Sequence, residues 1–191
     1  RHIRYDDIPG LKEVVGTELN IEGNPTPEFM SQVLKYKPHQ CTLVPDSPSA
    51  LTSDAGWDTV SSNAFLSTII RRLKDQGIRV SLFVDASPAM VEGAALAGAD
   101  RVEFYTGPYA AMYPNNPEAA IKKHVESAQT AADLNIGVNA GHDLNLHNLR
   151  YYAHGIPNLL EVSIGHALVC DALYYGLSNV IGMYQHQLRP F

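Results

Sequence analysis

Cysteine is scarce: only Cys41 and Cys170 occur among 191 residues, far apart in sequence. Neither a disulfide framework nor a cysteine metal site is indicated, and a reducing cytoplasm is the expected setting. Positive charge is short as well. Fourteen Lys and Arg stand against twenty Asp and Glu, a formal net charge of −6, which argues against the basic footprint of a nucleic-acid binder. A local basic pocket for a phosphate stays open. No apolar run approaches the length of a membrane span, and none of signal-peptide type opens the sequence. The motifs G-x-G-x-x-G after a strand, G-x-x-x-x-G-K-[ST] and H-E-x-x-H are all missing. A dinucleotide fold, a P-loop and a helix-borne zinc site therefore lose their usual support.

What is present is ordinary for a globular chain, with 45% hydrophobic and 18% charged residues. The length suits one domain or most of a larger one. The chain opens at Arg1 rather than Met, so further N-terminal residues are expected ahead of it.

Hydrophobic runs alternate with helical patterns. Ile8–Val15 reads as a short helix. Glu18–Glu22 alternates polar and apolar and ends at Gly23-Asn24-Pro25, a strand and a turn. Thr26-Pro27-Glu28 opens a helix to about Tyr36, with a cap residue, Pro at the first position and an acid in the first turn. Strands follow at Cys41–Val44, Arg79–Val84, Val102–Tyr105, around Leu134, Ile136 and Val138, and at Leu160–Ile164. Between them lie helices through Phe65–Leu73, Ser87 to Gly98 and Glu118–Ala132, and helices 167–175 and 179–187 close the chain. This is a βα series, and apolar strands suit a parallel sheet covered on its faces.

An open doubly wound sheet and a (β/α)8 TIM barrel both fit such a series. The barrel is favoured because polar residues end nearly every strand: Glu22, Asp85, Glu103, His142 and His166. Barrel chemistry sits at those C-terminal strand ends. Six strands are two short of eight, so a single barrel domain with its first two strands missing from this chain is expected.

Two strands end in Gly-His, at Gly141-His142 and Gly165-His166. Glycine lets a ligand approach the main chain, and histidine moves protons near neutral pH. Gly165-His166 is either a plain strand-to-helix turn or a helix N-terminus holding a phosphate, as barrels often do after their last strand. His142 either packs or acts as acid or base. Glu22 and Glu103 are either structural acids paired with arginine or proton-transfer groups whose affinity for protons is raised by burial. Asp85 has a plainer reading, as a cap for the helix near Ser87. A metal site from Glu103, His142, His147 and His166 is conceivable, but no ligand spacing supports it. Lys12, Lys35, Lys74, Lys122 and Lys123 fall in helices and Lys37 precedes a strand, so none suits an enzyme Schiff base. The long loop Asp46–Asp58 reads as a lid or as an ordinary flexible connection, with Thr52 and Ser53 able to reach a phosphate or hydroxyl.

Several stretches in order, His39-Gln40-Cys41-Thr42-Leu43-Val44-Pro45-Asp46, Ser81-Leu82-Phe83-Val84-Asp85, Glu103-Phe104-Tyr105-Thr106-Gly107, Val138-Asn139-Ala140-Gly141-His142-Asp143-Leu144 and Ile164-Gly165-His166-Ala167, resemble the pyridoxine 5′-phosphate synthase family from His2 almost to the C-terminus. The resemblance implies a (β/α)8 barrel that forms a cytoplasmic homo-octamer and uses no metal or organic cofactor. It implies condensation of 1-deoxy-D-xylulose 5-phosphate with 3-amino-2-oxopropyl phosphate into pyridoxine 5′-phosphate, with release of phosphate and water. By motif, Glu22 matches a general base, His142 a proton donor, and Glu103 an acid that stabilises transition states or positions water. His2 and Thr52 match contacts to the deoxyxylulose phosphate. Gly165 and His166 match the grip on the amino-ketone phosphate, with Asp143 joining through its backbone. Asp143 stands where some relatives have Gly, so only a main-chain role transfers. The family's first strand, a general-base His and two phosphate-binding arginines fall upstream of Arg1, so residues 1–191 alone are expected to form an open, inactive barrel. Two rival readings are another barrel lyase or isomerase acting on phosphorylated sugars, and a non-catalytic barrel that binds a phosphorylated metabolite.

Overall fold

The computed structural model describes residues 3–46 and 53–189. A 3-10 turn at Tyr5–Asp7 and helix α1 (Ile8–Val14) precede strand β1 (Asn20–Gly23) and helix α2 (Pro27–Tyr36). The series continues with β2 (Gln40–Leu43), α3 (Asn63–Lys74), β3 (Arg79–Val84), α4 (Pro88–Ala97) and β4 (Arg101–Tyr105). Then come α5 (Gly107–Met112), α6 (Pro117–Asp133), β5 (Gly137–Gly141), α7 (Leu149–Gly155), β6 (Leu159–Ser163), α8 (His166–Tyr175) and α9 (Leu177–Gln187).

The six strands form one sheet in the order β1-β2-β3-β4-β5-β6, every neighbouring pair parallel. Each strand's C-terminus therefore lies on one edge. The sheet is curled. Gln40 Nε2 on β2 donates to Glu161 Oε2 on β6 at 3.3 Å, and Ser163 Oγ on β6 donates to Glu22 Oε1 on β1 at 3.3 Å. These strands are not neighbours, so the bonds cross a hollow that a flat sheet would lack. The architecture is an α/β half-barrel of TIM type.

Alternation sorts the side chains. Cys41, Leu43, Val80, Leu82, Val84, Val102, Phe104, Val138 and Ala140 face the helices and are buried in the main apolar cluster. The intervening residues Gln40, Thr42, Ser81, Glu103 and Asn139 are buried and polar, and line the hollow. The helix starts follow their sequences. Thr26 Oγ1 accepts from Phe29 N at 3.2 Å with Pro27 in the first turn, and Asn116 Oδ1 accepts from Ala119 N at 3.0 Å. Gly98 closes α4 at φ 89°, a left-handed cap.

The structure corrects several sequence expectations. Leu134 is not in a strand. It follows α6 and is 43% exposed, while β5 begins at Gly137. β6 runs one residue earlier than expected, and α9 begins at Leu177 rather than at residue 179. Helices α5 and α7 were not anticipated. Pro108 is compatible with a helix's first turn, and seven residues of α7 are too few to establish a periodicity. Asp85 does not cap α4, whose N-cap is Ser87. No helix among the described residues is long and apolar enough to cross a membrane.

Candidate active site

Glu103 stands inward from the middle of β4 and is 2% exposed. Its Oε2 has no hydrogen-bond partner among the described residues. Burial, then the charges of Glu22 and Glu161, push its carboxyl well above the usual carboxylate range, with the Thr42 hydroxyl opposing weakly. Room for this side chain comes from β5: a Cβ on Gly141 would collide with Glu103 Oε1.

Glu22 stands at the C-terminal end of β1. It keeps exposed surface, while protein atoms crowd its carboxyl. That desolvation raises its proton affinity, and the Glu161 charge adds to it, whereas bonds from Ser163 Oγ and from Asn20 Nδ2 (2.9 Å) work against it. Two carboxyl groups of raised proton affinity therefore face one hollow.

His142 follows β5 directly. Its φ is 76° and that of Asp143 is 54°, two consecutive left-handed residues with side chains, a conformation that costs energy unless the surroundings impose it. The surroundings do. The Thr106 backbone N–H donates to Gly141 O at 2.9 Å, and its buried hydroxyl is shared between Gly141 O (2.7 Å) and His142 O. Asn148 Nδ2 donates to Asp143 O at 3.2 Å while its Oδ1 accepts from Asn145 N at 2.8 Å. The imidazole packs on Phe83 and Tyr105, with ring centroids 5.6 and 5.7 Å apart. Phe83 is paired in register with Glu103, so the ring cluster roofs the acid.

Gly165 forms the N-cap of α8, and both it and His166 are exposed. The N–H groups of the first turn of α8 make no intrahelical bonds, as at any helix start. His2 and Thr52 lie outside the described residues. Of the loop Asp46–Asp58, the described end is pinned: Trp57 N donates to Phe83 O at 2.8 Å, and Trp57 Nε1 donates to Leu43 O at 3.0 Å. Ser53 is buried and bonded to Asp46.

Glu22, Glu103, His142, Gly165 and His166 therefore stand on one edge or in the hollow beneath it. His147 does not. It lines two shallow outer grooves of about 620 and 680 Å³ beside α7 and α9, with Arg150, Tyr151 and His154 in one and His186 in the other. These grooves hold none of the carboxylates, and the hollow is the chemically equipped region. Among the described residues no group of three His, Cys, Asp or Glu side chains is arranged to hold a metal. The lysines named above lie on helices or, for Lys37, at the α2 C-cap below β2. Sequence reading overlooked Thr106, Asn148 and the hollow-lining Arg101, Asn139 and Glu161. The signal was there, as alternate polar positions Arg101-x-Glu103-x-Tyr105 and Glu161-x-Ser163 in strands read as simply apolar.

A family model described as pyridoxal phosphate biosynthesis protein PdxJ matches residues 1–190. A pyridoxine 5′-phosphate synthase of Cytophaga hutchinsonii is 59% identical over 99% of this chain and 79% of its own length. One from Bacteroides thetaiotaomicron is 58% identical over 99% of this chain and 80% of its own. Among solved structures, a 4-hydroxy-2-oxoglutarate aldolase/2-deydro-3-deoxyphosphogluconate aldolase from TTHB1 superposes with a TM-score of 0.64 at 17% identity, covering 98% of this chain and 78% of that one. That likeness concerns the fold alone. With the family model matched over nearly every residue and close relatives sharing more than half of them, this chain belongs to the PdxJ family of pyridoxal phosphate biosynthesis proteins.

Proposed function

We propose that the protein is a pyridoxine 5′-phosphate synthase, joining 1-deoxy-D-xylulose 5-phosphate to 3-amino-2-oxopropyl phosphate with loss of phosphate and water. The observation that carries this reading is the pair of carboxyl groups, Glu22 and Glu103, in one hollow beneath His142. Condensation of an amine with a ketone, dehydration and ring closure are successive proton transfers, and carboxyls whose proton affinity is raised suit them.

In this reading Glu22 takes protons at the mouth of the hollow, and His142 delivers them from the rigid turn after β5. Glu103, with one oxygen unpartnered among the described residues, holds water or steadies developing charge from below. The amine that forms the imine belongs to the substrate, in keeping with lysines confined to the helices and their caps. Gly165 and His166 bind the amino-ketone phosphate at the start of α8, with a main-chain contribution from Asp143. His2 and Thr52 contact the other phosphorylated substrate, as the resemblance implies. As the resemblance implies, the reaction in this proposal uses no metal or organic cofactor.

The complete form in this proposal is a (β/α)8 barrel, with two further strands pairing to the open outer edges of β1 and β6. Exposed Leu173, Tyr174, Tyr175 and Leu177 at the α8–α9 corner support self-association, the homo-octamer of the resemblance. Unpaired Cys41 and Cys170 suit a cytoplasmic location.

The deciding assay mixes both phosphorylated substrates with full-length protein, including the upstream strands that the resemblance implies, and follows product absorbance and phosphate release together. Equal yields of product and phosphate are expected. Substrate binding without either would move the non-catalytic barrel ahead, and chelator-sensitive turnover of another phosphorylated sugar would favour the lyase.

A further inference from the structure

Glu161 has no role in the reading above, yet it is the most heavily bonded carboxylate of the hollow. Three donors converge on its Oε2: Arg101 Nη1 at 3.1 Å, Asn139 Nδ2 at 3.2 Å and Gln40 Nε2 at 3.3 Å. They come from β4, β5 and β2. The network continues outward. Arg101 Nη1 also reaches Asn139 Oδ1 at 3.2 Å, Arg79 Nε reaches Gln40 Oε1 at 2.9 Å, and Arg79 pairs with Glu18.

The register sets Glu161 at the level of Glu103, while Glu22 lies one step higher, facing Ser163 across the hollow. Asn139 is opposite Glu103 on one side and opposite Glu161 on the other, so one fully buried amide separates the two carboxyls. Its orientation is fixed, because its oxygen faces Arg101 and its nitrogen faces Glu161. A bonded guanidinium and two amides stabilise a carboxylate strongly. Among the described residues Glu103 has only the Thr42 hydroxyl, and its Oε2 has no donor.

We propose that Glu161 is a positioning residue: clamped by Arg101, Asn139 and Gln40, it is the fixed negative charge of the hollow and makes Glu103 and Glu22 the groups that carry the exchangeable protons. The physical basis is division of labour among neighbouring carboxyls. Where several share one poorly solvated space, they cannot all ionise, and the one with dedicated donors keeps its charge. The proposal rests on the reading that Glu22 and Glu103 move protons. Among the described residues, the other charged or titratable groups around Glu103 and its neighbours in the hollow are Glu22 on β1, Arg79 on β3 with Glu18 beneath, Arg101 and Tyr105 on its own strand, and His142 after β5. Thr42 is the neutral neighbour on β2. In agreement, the Glu161 charge is among the causes that raise the proton affinity of both acids.

The test is carboxyl titration by NMR on protein labelled at the glutamate side chains, with Glu103 assigned through E103Q, alongside the pH profile of kcat. In E161Q the Glu103 midpoint is expected to fall by about one pH unit or more, and the low-pH limb of the profile should move the same way. In R101Q, which removes the cation that balances Glu161, both should move up. Either variant that folds reads the proposal, and midpoints unchanged from the parent in a folded variant overturn it. A merely structural role would lower kcat at every pH and leave the midpoints in place. Full turnover by E103Q would instead sink the catalytic reading while leaving the titration result standing.

Discussion

The α-hydrogen of Gly141 faces the Glu103 carboxyl at a distance where no methyl group fits: a Cβ there would overlap Oε1. Gly141 and Glu103 sit on adjacent strands, and Gly141 is also the last residue before the left-handed His142. One glycine thus serves the buried acid and the left-handed turn at His142 together. G141A should force Glu103 off its position, at a stability cost of about 1–3 kcal/mol typical of overpacking. Its kcat should fall about 10²-fold or more, in the range set by general acid–base groups. Steady-state kinetics beside thermal unfolding checks this, and parent-like kcat in the variant would mean that the Glu103 position is unimportant.

The raised proton affinity of Glu103 has a consequence for stability. Its folded pKa exceeds its unfolded one, so the folded state binds more protons between the two values. The contribution of Glu103 is greatest below the unfolded value and declines as pH rises through the folded value. E103Q abolishes this titration. Its melting temperature should exceed that of the parent at alkaline pH and approach it in acid, a trend that scanning calorimetry across pH would reveal. For a protein of this size each kcal/mol moves the midpoint by about 2–4 °C. A constant difference at all pH values would contradict the assignment.

The order of strands and most helices was legible because apolar runs and caps are local signals. Thr26-Pro27-Glu28 and Gly98 marked their helix ends correctly. Leu134 misled because an apolar residue after a helix looks like the start of the next strand, whereas here it is an exposed helix-end residue. The hollow was harder to see. Glu22 and Glu103 were visible as acids in strands, but Glu161 gains its meaning from Gln40, 121 positions away. Only the curl of the sheet brings them together. The turn at His142 was visible as Gly-His-Asp, whereas the anchors that impose its backbone, Thr106 and Asn148, come from neighbouring segments.

Ser163 offers a finer probe of Glu22. Its hydroxyl bond favours the ionised carboxylate, so S163A should raise the proton affinity of Glu22 further. If Glu22 is the base, the ascending limb of the kcat profile moves to higher pH, opposite to the movement expected for E161Q. The plateau above that limb should change little, because Ser163 has no assigned part in bond making. An unshifted limb would disconnect Glu22 from the rate.

The lysine placement predicts a negative trapping result. If the imine uses the substrate's amine, as proposed, borohydride added during turnover should leave no substrate mass attached to Lys12, Lys35, Lys37, Lys74, Lys122 or Lys123. Intact-protein mass spectrometry reads this directly, and one stoichiometric adduct on a lysine would overturn the proposed chemistry.

His124 provides a pH response far from the hollow. It is buried between α6 and the outer face of β4, with Nδ1 2.9 Å from the Tyr152 hydroxyl and its ring edge-on to Phe104 at 5.9 Å. Burial lowers its pKa to about 4 from an ordinary 6.5. Between those values the unfolded chain binds more protons, so stability falls as pH drops through that window. This slope is opposite in sign to that of Glu103, and the two are separated by substitution. H124F should remove the acid-side loss between pH 6.5 and 4. It should also lower stability near neutrality by about 1–3 kcal/mol, because the buried Tyr152 hydroxyl loses its partner. Denaturant unfolding at a series of pH values distinguishes the two effects. An acid-side slope as steep in H124F as in the parent would show that some other group supplies it, whereas a flattened slope with a lower neutral plateau would assign it to this imidazole.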